Sequence, residues 1–273
     1  MHDTTRTFFA LTKPVFVKLP KTPYLDPIRE KALKQLQNLV DRRGFAVLAA
    51  PPGCGKTAIL HYLCDGLSDN HHQVIYVPFS FLEKGHMLQF ISARMGLQQK
   101  RGMATTLRDI HKHLSDIQPV NPVIVLDEAQ RLELATTHIL RLIANDRPDT
   151  VHYTTLIFAG VESFIEQTLR LQVNEPLRQR ITLYCYLRPF DYQHTTLYIK
   201  HHLTQAGAQG ELFQAPALHL IQELTNGVPR IINTLAEGAM DIAAENKHNT
   251  VSLEHVQQAS QFVLIPQRSE VLP

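Results

Sequence analysis

Residues 50–57 read Ala50-Pro51-Pro52-Gly53-Cys54-Gly55-Lys56-Thr57, and they constrain this chain more than any other stretch. An apolar run, Gly44–Ala50, precedes them and a helical pattern over Lys56–Ser68 follows. That strand–loop–helix setting is what a phosphate-binding loop requires. Glycines at 53 and 55 let successive N–H groups turn inward on phosphate oxygens, and the helix start adds a favourable dipole. Lys56 brings a point charge to the β- and γ-phosphates of ATP, and the Thr57 hydroxyl is a ligand for Mg2+. The candidate nucleotide-binding residues are therefore Pro52, Gly53, Cys54, Gly55, Lys56, Thr57 and Ala58. One departure is visible: the first position of the usual pattern is glycine, and here it is Ala50, which is tolerated at negative φ. Cys54 stands among amides that would also stabilise a thiolate.

A second apolar run, Pro122–Asp127, ends in the adjacent acids Asp127 and Glu128. In open α/β sheets ligands bind at the C-terminal ends of strands, so this pair belongs with the phosphate loop. Asp127 is the expected Mg2+ partner of Thr57, and Glu128 the catalytic residue that orients the attacking water. Three more strand-length runs occur at Gln73–Phe79, Tyr153–Gly160 and Ile181–Leu187, with helical periodicity between them. Continuous rather than alternating apolarity predicts strands covered on both faces, hence a parallel sheet. After Pro189 only helical patterns follow, at Tyr192–Gly207, Pro216–Thr225, Arg230–Asn246 and Leu253–Phe262, with Ser252 as an expected N-cap. The fold class is thus α/β, a core with a five-stranded parallel sheet followed by a small all-helical domain. The expected boundaries are 1–43 for an N-terminal segment and helix, 44–190 for the core, 191–265 for the helical part and 266–273 for a flexible tail.

Composition narrows the setting. Lys and Arg total 27 against 25 Asp and Glu, a formal charge of only +2, so a nucleic-acid partner would have to be met by a local stripe or an oligomer. Three scattered cysteines make a poor disulfide framework and carry no zinc spacing, which points to the cytoplasm. The 15 histidines are dispersed and form no metal motif. No apolar run nears the roughly 20 residues of a membrane helix, and the N-terminus lacks the features of a signal peptide.

Taken in order, these motifs resemble an AAA+ ATPase. More narrowly, the chain is similar to the ExeA-like family and to the transposition regulators TnsC, TniB, IstB and MuB. The resemblance rests on Phe8-Phe9-Ala10-Leu11-Thr12 with Pro14 and Phe16, Arg42-Arg43-Gly44-Phe45, the phosphate loop, Leu126-Asp127-Glu128-Ala129-Gln130, Leu177-Arg178-Gln179-Arg180-Ile181 and Gly227-Val228-Pro229-Arg230-Ile231-Ile232-Asn233. It implies that the helical part is a lid, with Arg230 at the nucleotide reporting bound ATP. It also implies that Arg178 or Arg180 acts on the ATP of a neighbouring copy. Such ATPases often end the strand beside the acid pair in a polar residue near the γ-phosphate. Here Gly160 is followed by Val161, which cannot do that, so the role falls to Glu162, to Ser163 or to no residue at all.

The family divides by setting. Secretion ATPases of the ExeA/GspA kind continue past the lid into a membrane helix, whereas transposon-encoded members are short. The present length favours the second. The resemblance then implies an ATP-dependent ring or filament of copies on double-stranded DNA, a DDE transposase as partner, a target-selection protein beside it, and no membrane association. Slow hydrolysis would drive disassembly. DNA contacts are expected from the loop after the second strand and from a nearby helix start, at Lys84, Lys100, Arg101, Thr105 and Thr106. The alternatives are a secretion-assembly ATPase and another oligomeric switch such as an initiator or helicase loader.

Overall fold

The computed structural model describes residues 3–78, 83–144 and 154–263. In chain order the elements are α1 (Asp3–Phe8), α2 (Pro27–Arg42), β1 (Phe45–Ala49), α3 (Lys56–Asp65), β2 (His72–Val77), α4 (Lys84–Arg94), α5 (Met103–Asp116), β3 (Asn121–Leu126), α6 (Leu134–Ala144), β4 (Thr155–Gly160), α7 (Glu175–Arg178), β5 (Ile181–Tyr186), α8 (Tyr192–Gln205), α9 (Ala215–Thr225), α10 (Pro229–Glu245) and α11 (Leu253–Ser260). A 3-10 turn spans Ala129–Arg131, and Phe164–Leu169 is wound as a π-helix.

The chain divides into two units. The α/β unit comprises Pro27–Pro52 and Lys56–Leu187. Its five strands form an all-parallel sheet in the order β2-β3-β4-β1-β5. The three inner strands are buried at every position, as their unbroken apolar runs predict. β5 departs from that expectation. Its burial alternates, and Tyr184 and Tyr186 are exposed, because one face of this edge strand is left uncovered. Phe45, Phe158, Phe164, Met87 and Ile91 are fully buried in the core of this unit. Asn121 at the start of β3 donates to Thr155 Oγ1 of β4 at 3.1 Å and to the Val40 carbonyl at 2.7 Å, so its buried carboxamide is paired. In register, Leu126 faces Phe158 and Ala49 faces Gly160. The ends of β3, β4 and β1 therefore meet along one rim of the sheet.

The second unit gathers the residues up to Asp26, Gly53–Gly55, and the described residues from Arg188 onward. Its core holds Phe190, Ile199, Ile221, Leu235, Met240 and Val256 from α8–α11 and their connections. The N-terminal residues Phe9, Leu11 and Val15 complete it. Thr12 N–H donates to the Ala206 carbonyl at 2.8 Å, and the Thr5 hydroxyl to Asp241 at 2.5 Å. The turn before α10 requires Gly227. Its φ is +72°, and a Cβ there would lie 1.7 Å from the Phe190 carbonyl oxygen, whose own N–H donates back to the Gly227 carbonyl. Ser252 is the N-cap of α11, as expected, and His255 occupies the place that Glu holds in a usual capping box, its Nδ1 accepting from the Ser252 N–H at 2.9 Å. Among the described residues no helix is long and apolar enough to cross a membrane.

Candidate nucleotide site

The loop from β1 to α3 has the backbone its glycines allow. Gly53 lies at φ +83° and Gly55 at +90°. Gly53 is also short of room: a Cβ would sit 3.0 Å from Val228 Cγ1 and 3.1 Å from Arg230 Cβ. Arg230 is exposed at the start of α10, and its backbone N–H donates to the Gly53 carbonyl at 3.3 Å. Pro52 is exposed and Ala58 half-buried in the first turn of α3. Lys56 is buried, and its ammonium donates to the carbonyls of Ala50 (3.0 Å) and Pro51 (3.4 Å). These bonds hold the charge at the loop rather than in solvent. Cys54 is fully buried, so solvent does not reach its thiol. Burial, then Asp65, pushes the Cys64 thiol up to about 12, and burial pushes Cys185 up to about 11, so neither is a thiolate at neutral pH.

At the end of β3 the buried Asp127 carboxylate accepts at least three hydrogen bonds among the described residues. They come from Thr57 Oγ1 (2.7 Å) and the Tyr76 hydroxyl (2.8 Å), both to Oδ2, and from the Glu128 N–H (2.9 Å) to Oδ1. This bears on Mg2+. The Thr57 hydroxyl donates a hydrogen bond to Asp127 and keeps its lone pairs, so two hard oxygens stand together in a set that suits a small divalent cation. Tyr76, on β2, was not marked by any motif. Burial, then Asp127, pushes its phenol well above the ordinary tyrosine range, so it stays a neutral O–H donor. The His61 ring covers it at a centroid distance of 4.6 Å. The signal in the sequence was a polar-tipped aromatic near the end of an otherwise apolar strand.

Glu128 adopts the left-handed conformation, with φ +55° and ψ +40°. That region is sparsely used by residues other than glycine and is held only where the surroundings demand it. Its carboxylate Oε2 accepts from Gln130 Nε2 at 2.6 Å, and Gln130 Oε1 accepts from the Val161 N–H at 3.3 Å. Val161 is half-buried, Glu162 is exposed, and Ser163 precedes the π-helical turn.

Arg178 ends α7, and Arg180 lies between α7 and β5. Arg178 pairs with Glu175, and Arg180 Nη1 donates to the Pro176 carbonyl at 2.8 Å. Of the candidate DNA residues, Lys84 opens α4 and is exposed, as is Arg101 before α5. Lys100 is paired with Asp109 at 2.7 Å, and Thr105 is half-buried. Thr106 is otherwise placed: it is buried, and its hydroxyl donates to the Gly102 carbonyl at 3.0 Å, which removes it from solvent and from any phosphate. Residues 80–82 of the expected DNA loop lie outside the described residues.

A phosphate loop after β1 and an acid pair after β3, on a parallel sheet with β1 between β4 and β5, define a P-loop ATPase. Residues 37–169 match the family described as AAA domain, and the match agrees with a P-loop ATPase. General secretion pathway protein A of Aeromonas hydrophila is 29% identical over 252 residues, covering 89% of this chain and 46% of that protein. The chain thus spans less than half the length of this curated relative. Among solved structures, Cdc6p of Pyrobaculum aerophilum aligns with a TM-score of 0.71 and 18% identity, over 95% of this chain and 71% of that one. Drosophila ORC bound to DNA aligns with a TM-score of 0.62 and 17% identity, over 96% and 66%. The RuvB branch-migration motor of Thermotoga maritima aligns with a TM-score of 0.58 and 20% identity, over 86% and 68%. At these identities the structural likeness is one of fold, and it extends across the α/β unit and the helical part alike.

Proposed function

We propose that this ATPase is a switch that assembles with copies of itself on double-stranded DNA and regulates DNA transposition in the cytoplasm. ATP lies on the loop amides at 53–57 with Lys56 at its β- and γ-phosphates. Thr57 and Asp127 would hold Mg2+, which when bound would supply positive charge against the phosphates. Glu128 orients the attacking water. Arg230, whose backbone meets Gly53, responds to the bound nucleotide. Arg178 or Arg180 of one copy completes the site of the next, so hydrolysis is tied to assembly. ATP favours the DNA-bound assembly, and hydrolysis, stimulated by a DDE transposase, releases it. A target-selection protein would act on the same assembly.

The observation that carries DNA binding is the fold shared with ORC bound to DNA over 96% of the chain. Lys84 and Arg101 are the exposed cations for phosphate contact, with Thr105 in the first turn of α5 and Lys100 once released from Asp109. Few contacts per copy agree with the net charge of +2, and assembly multiplies them. The test is duplex binding with ATP or ADP at rising salt, with electron microscopy of the products and phosphate release with and without transposase. ATP-dependent, salt-sensitive filaments or rings are expected. DNA that alters neither assembly nor turnover would overturn the proposal. The relationship to General secretion pathway protein A supports a second reading, an ATPase of secretion-system assembly, and that reading would then take its place.

A further inference from the structure

The rim of the sheet poses a problem at β4. The strand runs beside β3 and ends in Gly160 and Val161, so it offers no polar side chain next to Glu128. The space is filled from elsewhere. The Gln130 carboxamide stands between the two strand ends, donating from Nε2 to Glu128 Oε2 at 2.6 Å and accepting at Oε1 from the Val161 N–H at 3.3 Å. Its orientation follows from its partners: a carboxylate only accepts and a backbone N–H only donates, so the flipped amide would face both wrongly. Gly160 makes the room. A Cβ on that residue would lie 2.9 Å from Gln130 Oε1.

We infer that Gln130 is a positioning residue for hydrolysis, which fixes the Glu128 carboxylate and ties it to the end of β4. The inference rests on Glu128 being the residue that orients water. With Oε2 held by the amide, Oε1 is left for the water. Glu128 sits on a left-handed backbone at the start of a 3-10 turn, and its side chain does not cap that turn. The Val161 N–H gives the amide a fixed reference on the neighbouring strand, so β4 contributes through its backbone what its side chains lack. Length and charge are both selected. Asparagine is one methylene too short to span the two partners, and glutamate would set a second carboxylate against Glu128.

The test is steady-state hydrolysis with nucleotide affinity measured in parallel on the full chain. Gln130→Ala should lower kcat on the order of tenfold while KM, the Kd for labelled ADP and the melting temperature stay near parental values. Gln130→Glu should lose more than Gln130→Ala, and Gln130→Asn should not restore the rate. Gly160→Ala breaks the same bridge without touching Gln130 and should give a similar loss. Because both act on one contact, the double variant Gln130→Ala/Gly160→Ala should be no slower than Gln130→Ala alone. Parental kcat in Gln130→Ala, or equal losses in kcat and affinity, would overturn the inference, as would multiplied losses in the double variant. Glu128→Gln separates the two ideas. Parental hydrolysis in Glu128→Gln would remove the role of Glu128 itself, whereas an inactive Glu128→Gln beside a fully active Gln130→Ala would remove only that of Gln130.

Discussion

β3 and β4 are neighbours in register and buried along their whole length, yet they end in opposite ways. β3 hands the chain to two carboxylates, whereas β4 closes on a glycine and passes to a valine. Along their lengths the two strands do the same work, which is apolar packing between helices. At the rim one supplies side chains and the other supplies a backbone N–H and the space of a missing Cβ. A strand end therefore serves a site in two ways, and only the first leaves polar residues in the sequence.

Four substitutions probe that contrast. On the β3 side, Asp127→Asn should have the largest effect. It removes the charge beside Thr57 and should lower kcat on the order of a hundredfold or more, read as phosphate release at saturating ATP and Mg2+. Next is Tyr76→Phe, which takes one donor from Asp127 Oδ2. It should raise the Mg2+ concentration for half-maximal hydrolysis about tenfold and weaken Mg2+-dependent nucleotide binding alike, with little change in stability. Thr155→Val tests the strands where they are alike, at their buried starts. Losing the partner of Asn121 should cost about 1–2 kcal/mol in urea unfolding and leave kcat unchanged. Smallest of all is Val161→Ala. If β4 acts through its N–H, kcat should move by less than about twofold. A large loss there would break the contrast between the strands.

How much of this was legible follows the same division. All five strands and the helices of the C-terminal part announced themselves, because buried runs and helical periodicity are written in apolar residues. The phosphate loop and the acid pair were equally plain, since their chemistry demands fixed residue types at fixed spacing. Tyr76 and Gln130 were not. Each acts through a partner distant in sequence: Tyr76 meets Asp127 across the β2–β3 pairing, and Gln130 meets Val161, 31 residues on. Nor did the sequence disclose that Phe9, Leu11 and Val15 pack with α8–α11, because a short apolar segment has no period that names its partner. Thr106 shows the reverse error. A hydroxyl near a helix start reads as a phosphate contact, but a bond back to Gly102 uses it within the helix.

Hydrolysis by the end of β3 is tested most directly in Glu128→Gln, which keeps the shape of the side chain and removes its charge. ATP bound and phosphate released should be measured in one preparation. Retained ATP at parental affinity, with turnover reduced on the order of a hundredfold or more, is the expected result. Phosphate release at the parental rate would contradict it and would move the water-orienting group away from β3.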